Sequence, residues 1–293
     1  MAKGNIRLYD TEVEYLAEKD SFELPNVSFV EDIKTVFYSG KLTKSWDTMA
    51  NGVYAVGADG SPVMVEDADE SCIGVALIAN DAPTPQRLMI EKNETNNTTS
   101  IKAAYDADGA TDTGYTYFFW GMRGQDVSDI TNYTQTGGGG TKSYGNLPKP
   151  DGTYNGTPNL SADYTTWTSG CLSDFSGKAN TAALMEVEDA DSYTTYANMA
   201  TWCSKFNETP SENQGFNDWY IPSMGQLALI YLNKTAINEA LTKIGGMTFA
   251  SNYYWSSSEY SSTIGFYVSF SSGSVNYNLK SYGCRVRVVR DLI

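Results

Sequence analysis

Histidine is absent from this 293-residue chain. That single absence removes Ser-His-Asp and Cys-His nucleophile systems, His-ligated zinc and imidazole general bases. Basic residues are scarce too: 20 Lys and Arg stand against 35 Asp and Glu, a formal charge of -15. Such a surface repels nucleic acid unless a local basic patch exists, and the sequence holds none, so nucleic acid is not an expected partner. The four cysteines, Cys72, Cys171, Cys203 and Cys284, form no C-x-x-C pair, which excludes a zinc ribbon and a thioredoxin motif and leaves a disulfide open. No stretch of about 18 apolar residues is available to span a bilayer, so no membrane insertion is expected. The opening residues 1–10 lack the apolar core of a secretory signal, and the expectation is a soluble chain not exported by the Sec route. Heptads and fibrous repeats are missing as well.

Charged residues make up only 19% of the chain while aromatics reach 13%, with 21 Tyr. The surface is therefore expected to be covered by Tyr, Ser, Thr, Asn and Gly, the residue set of an antibody-like contact surface. The length suits one large domain or two modest ones.

Residues 1–40 read as a leader that carries short strands around Leu24–Val30 and Val36–Tyr38. A small β-rich domain is expected over 41–110, from the runs Gly52–Val56 and Cys72–Ile78 and the turns between them. The aromatic run Tyr115–Gly121 reads as a buried strand between two polar, turn-rich loops. Tyr193, Tyr196, Ala197, Ala200 and Cys203 recur at helical spacing, predicting a helix that ends near Phe206. Ser223 and Gln226 fit a capping box that starts a second helix with Leu227, Ile230 and Tyr231 inward. Ile237, Ala240, Leu241 and Ile244 make a third, stopped by Gly245-Gly246. After that the period changes to two: Phe266, Val268 and Phe270 alternate with Tyr267, Ser269 and Ser271, and Ser272-Gly273 is a hairpin turn. The order of elements predicts an α+β fold.

Three stretches stand out: Phe216–Met224 (FNDWYIPSM), Tyr254–Tyr260 (YWSSSEY) and Arg285–Arg290 (RVRVVR). With them, residues 115–293 resemble the C-type lectin-like fold in its formylglycine-generating-enzyme subclass, as used by the variable proteins of diversity-generating retroelements in gut Bacteroides and their phages. The resemblance implies a C-type lectin-like domain over 111–293 with a variable region at 253–284. In that family a reverse transcriptase miscopies adenines, so AAY codons become codons ending in a pyrimidine, which never encode Lys, Glu, Gln, Trp or Met. The slots implied here are Thr263, Ile264, Tyr267, Ser269, Ser271, Ser272, Ser274, Asn276, Tyr277, Asn278, Leu279, Ser281, Tyr282, Gly283 and Cys284, none of them a forbidden residue. Lys280 and Glu259 belong to the constant frame. Tyr267, Ser269 and Ser271 are expected on the open polar face of their strand, while Ile264 shares the phase of Phe266 and is a candidate for the core.

The resemblance implies a non-enzymatic receptor-binding protein of a phage tail, with a cell-surface receptor on a host bacterium as partner and a homotrimer if it sits on a tail fibre. The alternatives are a bacterial surface or secreted adhesin exported by another route, and a structural protein of fixed specificity. Whether the target is protein or glycan stays open. Catalytic relatives of the fold use a reactive cysteine pair with copper, and Cys171, Cys203 and Cys284 supply no such pair, so neither catalysis nor a cofactor is expected. The acidic run Glu66–Glu70 and the set Asp106, Asp108 and Asp112 lack EF-hand spacing and read as solvated turns rather than calcium sites. Trp219 and Trp255 are expected in the core, and Arg285 and Arg287 in structural pairing with backbone or carboxylates.

Overall fold

A computed structural model of the chain describes residues 27–30, 35–38, 46–94, 117–121, 124, 126–133, 143–187, 197–210 and 213–292. The chain divides into two compact units, 1–45 and 46–293. In the first, β1 (Val27–Val30) and β2 (Thr35–Tyr38) pair antiparallel, with Val27 opposite Tyr38.

The second unit begins with β3 (Gly52–Val56), β4 (Pro62–Val63), β5 (Gly74–Ala79) and β6 (Gln86–Glu91). Next come β7 (Phe118–Phe119), β8 (Ser143–Asn146) and α1 (Gly177–Glu186). The short strand β9 (Ala197–Asn198) leads into α2 (Met199–Asn207), followed by α3 (Met224–Leu232) and α4 (Lys234–Lys243). The unit closes with β10 (Tyr253–Ser261), β11 (Ile264–Ser269), β12 (Ser274–Leu279) and β13 (Val289–Asp291). Helices and sheets share this unit, so the α+β class holds.

Two sheets organise it. One runs β13-β6-β5-β3-β4 and the other β10-β11-β12-β8, with all their neighbouring strands antiparallel. Val75 and Leu77 of β5 enter one core and Ala76 and Ile78 enter another, which is why the run Cys72–Ile78 is continuously apolar rather than alternating. Between the sheets lies α3. Its residues Met224 to Tyr231 are all buried, so the helix is buried on every side and not only along the expected stripe of Leu227, Ile230 and Tyr231. It is started by the capping box of Ser223 and Gln226, and α4 ends before Gly245, whose φ is 70°.

Two expectations change here, and one helix appears that the sequence reading does not contain. The contacts do not separate 41–110 from 111–293: β6 pairs with β13, Ile90 opposite Val289, so strands from both stretches share one sheet. Ala197 is not helical, because the Asn198 side chain accepts from Ala200 N (2.9 Å) and caps α2 one residue further on, while Tyr193 and Tyr196 lie outside the described residues. α1 is that helix. Two of its five buried residues are polar: Asn180 Nδ2 donates to Asp174 Oδ2 (2.9 Å), and Thr181 Oγ1 donates to Gly177 O (2.8 Å), so no apolar period marks this helix.

Candidate functional site

β10 is the rigid side of the site. Its ladder with β11 is interrupted between Trp255 and Glu259, and there the side chains of Ser256, Ser257 and Ser258 make the connections, the first to β11 and the other two to other parts of the fold. Ser256 Oγ donates to Phe266 O (3.0 Å) and Ser257 Oγ to Ile221 O (3.0 Å). Ser258 Oγ donates to Asp174 Oδ2 (2.6 Å) and accepts from Met224 N (2.8 Å), satisfying an otherwise unpaired donor at the start of α3. Trp255 Nε1 donates to Phe118 O (2.8 Å), and Trp120 Nε1 donates to Ser256 O (2.7 Å). All of these β10 residues are fully buried. Trp219, at 2% exposure, is also core.

Glu259 and Lys280 are a buried ion pair, each with 0% exposure. Glu259 Oε2 also accepts from Val127 N (3.2 Å), and Lys280 Nζ lies 4.5 Å from the centre of the Trp120 ring. Burial raises the Glu259 carboxyl and lowers the Lys280 ammonium, and the pairing opposes both shifts. The pair ties the end of β12 to β10. Arg285 pairs with Glu94, while Arg287 donates to Met247 O (2.6 Å) and lies 4.8 Å over the Phe249 ring, so both arginines are structural.

Around this frame lie the fifteen slots. Twelve are half-buried or exposed: Thr263, Ile264, the turn residues Ser271, Ser272 and Ser274, then Asn276 to Leu279 on β12, and Ser281 to Gly283 beyond it. The hairpin turn is where the sequence places it. Gly273 N donates to Ser269 O (2.8 Å) with φ 78°, and a Cβ there would lie 2.4 Å from Leu147 O, so both backbone conformation and space demand glycine.

Tyr267 and Ser269 are buried and correct the expectation of an open face, and the slot Cys284 is buried too. Phe266, Val268 and Phe270 do pack on the core that holds α3, but the opposite face of β11 is covered too. Tyr267 stands edge-on to Trp255, ring centres 5.8 Å apart at 80°, and 5.1 Å from Tyr253. Burial pushes its phenol above the usual value. Ser269 Oγ is held by Ser271 Oγ (2.9 Å) and Ser272 Oγ (2.8 Å). Cys284 is bound through its backbone to Phe118, with N–O distances of 2.7 and 3.1 Å. Ile264 is half-buried, neither fully core nor fully open.

Two aromatic neighbours of the slots are not slots themselves. Tyr253, 41% exposed, lies opposite Ser269 in the β10–β11 register, and Tyr260 stacks on Tyr277 with ring centres 4.5 Å apart at 23°. Strand register is the signal that places them.

All four cysteines are free thiols and buried. Burial pushes the thiols of Cys171, Cys203 and Cys284 upward, the opposite of what activates a nucleophile. Among the described residues no three His, Cys, Asp or Glu side chains gather as a metal site; the run Glu66–Glu70 begins within a short 3-10 turn, Val65–Asp67, and Asp106, Asp108 and Asp112 lie outside the described residues. Among the same residues, no helix is long and apolar enough to cross a membrane.

Residues 161–290 match the Lcl C-terminal domain family. The matched span contains α1 to α4, the whole of the β10 frame and every slot. No curated protein matches the chain. Among solved structures, a fimbrial protein from Bacteroides ovatus is similar over 83% of this chain, at 18% identity and a TM-score of 0.46. This chain spans about half of that protein, 49% of its length.

Proposed function

We propose that the second unit is a non-enzymatic binding module whose slots, diversified by a retroelement, form a receptor-binding surface carried on a phage tail. One observation carries the reading: the positions that the resemblance implies to be constant are buried, and most of those it implies to be variable are not. The frame from Trp255 to Glu259, with Lys280, is buried and committed to named partners, whereas twelve of the fifteen slots are half-buried or exposed: Thr263 and Ile264 at the β10–β11 connection, and ten around the β11–β12 turn, along β12 and on the loop after it. Residues on such a surface change binding while the fold stays, and Tyr, Ser and Asn supply contact area and adaptable hydrogen bonds at low entropic cost. The upward shift of the cysteine thiols supports a role without covalent catalysis.

Sequencing the DNA around the gene tests this. The expected result is a reverse transcriptase gene and a near-copy of codons 250–293 with AAY at the open slots. A locus with neither, and slot codons that end in purines, overturns diversification and leaves a surface of fixed specificity. Tyr267, Ser269 and Cys284 sharpen the test: if they vary, substitutions there are restricted to residues that fit a buried site, while Asn276, Asn278 and Tyr282 vary freely.

A further inference from the structure

Two of the buried slots flank β10. Tyr267 lies opposite Trp255 in the β10–β11 ladder, and along the far side of β10 runs the segment that follows Cys284, where Arg285 N donates to Tyr253 O (2.9 Å) and Trp255 N to Arg285 O (2.9 Å). Trp255, Tyr267 and Cys284 all belong to one core. Two exposed rings stand at its margin: Tyr253 meets the Tyr267 ring with centres 5.1 Å apart at 60°, and Tyr282 lies two residues before Cys284. Burial raises the Tyr267 phenol first, and the Cys284 thiol and the Tyr253 and Tyr282 phenols raise it further, so all three groups lie within its electrostatic reach.

A ligand on this surface meets the exposed rings and not the two slots beneath them, since Cys284 has 0% exposure and Tyr267 has 8%. The interior is close-packed, so a change of volume there is not absorbed in place. A smaller side chain leaves a cavity into which its neighbours move, and a larger one forces them off their rotamers. The inward neighbours are fastened: Trp255 Nε1 donates to Phe118 O (2.8 Å), and Phe118 is bonded in both directions to the Cys284 backbone. Displacement is therefore passed outward, to the rings with open space beside them, Tyr253 and Tyr282.

We propose that Tyr267 and Cys284 are positioning residues of the binding surface: slots that a ligand does not touch, whose size sets where the Tyr253 and Tyr282 rings stand. Diversification then works at two levels. Half-buried slots on β12 such as Asn276 and Asn278 change the chemistry that a ligand meets, and the buried pair changes the shape of the surface while its composition stays the same. The proposal rests on the receptor-binding reading and adds to it residues that govern specificity from beneath.

The full chain labelled with 3-fluorotyrosine tests this by fluorine NMR, with the Tyr253 and Tyr282 lines assigned from Tyr253→Phe and Tyr282→Phe. Nanobodies raised against the unmodified sequence serve as probes of shape: one set consists of those whose binding Tyr253→Ala or Tyr282→Ala abolishes, and a control set of those indifferent to both. Cys284→Val and Tyr267→Leu should move one or both lines and weaken the first set about tenfold or more, whereas Tyr267→Phe, which keeps the ring, should stay within about threefold. The control set should bind every variant equally, which separates a moved surface from a damaged fold. Should Tyr267→Leu fail to fold, Cys284→Val and the milder Cys284→Ala carry the test. Unmoved lines, moved lines with unchanged affinities, or equal losses in both sets overturn the positioning role. Neither readout needs the natural receptor or any natural variation, so a locus without a template copy strikes the receptor-binding reading alone, and a negative result here strikes the positioning role alone.

Discussion

Serine plays opposite parts on two neighbouring stretches of this sheet. On β10, Ser256, Ser257 and Ser258 are fully buried, and each hydroxyl reaches a different element: β11, the segment before α3, and Asp174. Around the β11–β12 turn, Ser269, Ser271 and Ser272 bond mainly to one another, and Ser271 is exposed. Hydroxyls of the first kind hold the fold together across long sequence distances. Those of the second are local, although Ser269 among them is buried. A Ser-rich sequence therefore does not reveal which kind it holds, and the distinguishing property is the partner of each hydroxyl rather than the residue type.

The strongest way to break this contrast is Trp255→Ala. The indole is fully buried and donates to Phe118 O, so the substitution leaves a cavity and an unpaired acceptor and should cost about 3–5 kcal/mol in urea denaturation. A variant of undiminished stability would remove Trp255 from the frame. Next is the ion pair. Lys280→Ala strands the Glu259 carboxylate in the interior and should cost about 3–5 kcal/mol, whereas Glu259→Leu with Lys280→Met, apolar on both sides, should cost clearly less than that single change. If the double variant is the worse, the pair itself, and not the penalty of an unpaired buried charge, stabilises the end of β12.

The slots divide under the same treatment. Tyr267→Ala should cost about 3 kcal/mol because the ring packs on Trp255, while Tyr282→Ala, at 45% exposure, should stay within about 0.5 kcal/mol. Alkaline pH sharpens the difference. A phenol raised by burial holds its proton more tightly in the folded chain than in the unfolded one, so its contribution is fully present below its ordinary value of 10.0 and is lost as pH rises above it. Tyr267→Phe should therefore flatten the fall in stability above that pH, read as the urea midpoint against pH; an unchanged slope would place the phenol in water.

Much of this arrangement is legible in the sequence because it is local. The Ser223 and Gln226 capping box, the Gly245 stop of α4 and the Ser272-Gly273 turn each depend on residues a few positions apart, and each is where the pattern places it. What escapes the sequence is non-local. Period-two alternation in β11 marks Phe266, Val268 and Phe270 as core, but Trp120, Phe118 and Cys284 belong to the core that also holds Tyr267, and nothing within β11 announces that cover. The pairing of β13 with β6 joins residues some two hundred positions apart, so an apolar run near residue 75 reads as a separate small domain. In α1 the buried stripe includes Asn180 and Thr181, whose burial is made favourable by Asp174 and by backbone carbonyls that hydropathy does not see.

The smallest and most direct test returns to the serines. Ser258→Ala removes a donor to Asp174 Oδ2 and the acceptor of Met224 N, both in the interior, so it should cost about 1–3 kcal/mol. Ser271→Ala removes one hydroxyl from a set at an exposed turn, where water takes its place, and should change stability by less than about 0.5 kcal/mol. Both substitutions delete the same oxygen, so equal effects in parallel denaturation curves would mean that partner and burial do not distinguish frame from slot. A clear gap, with Ser271→Ala altering only what the surface binds, would mean that two stretches of similar composition hold separate duties because one set of hydroxyls is spoken for inside the protein and the other faces outward.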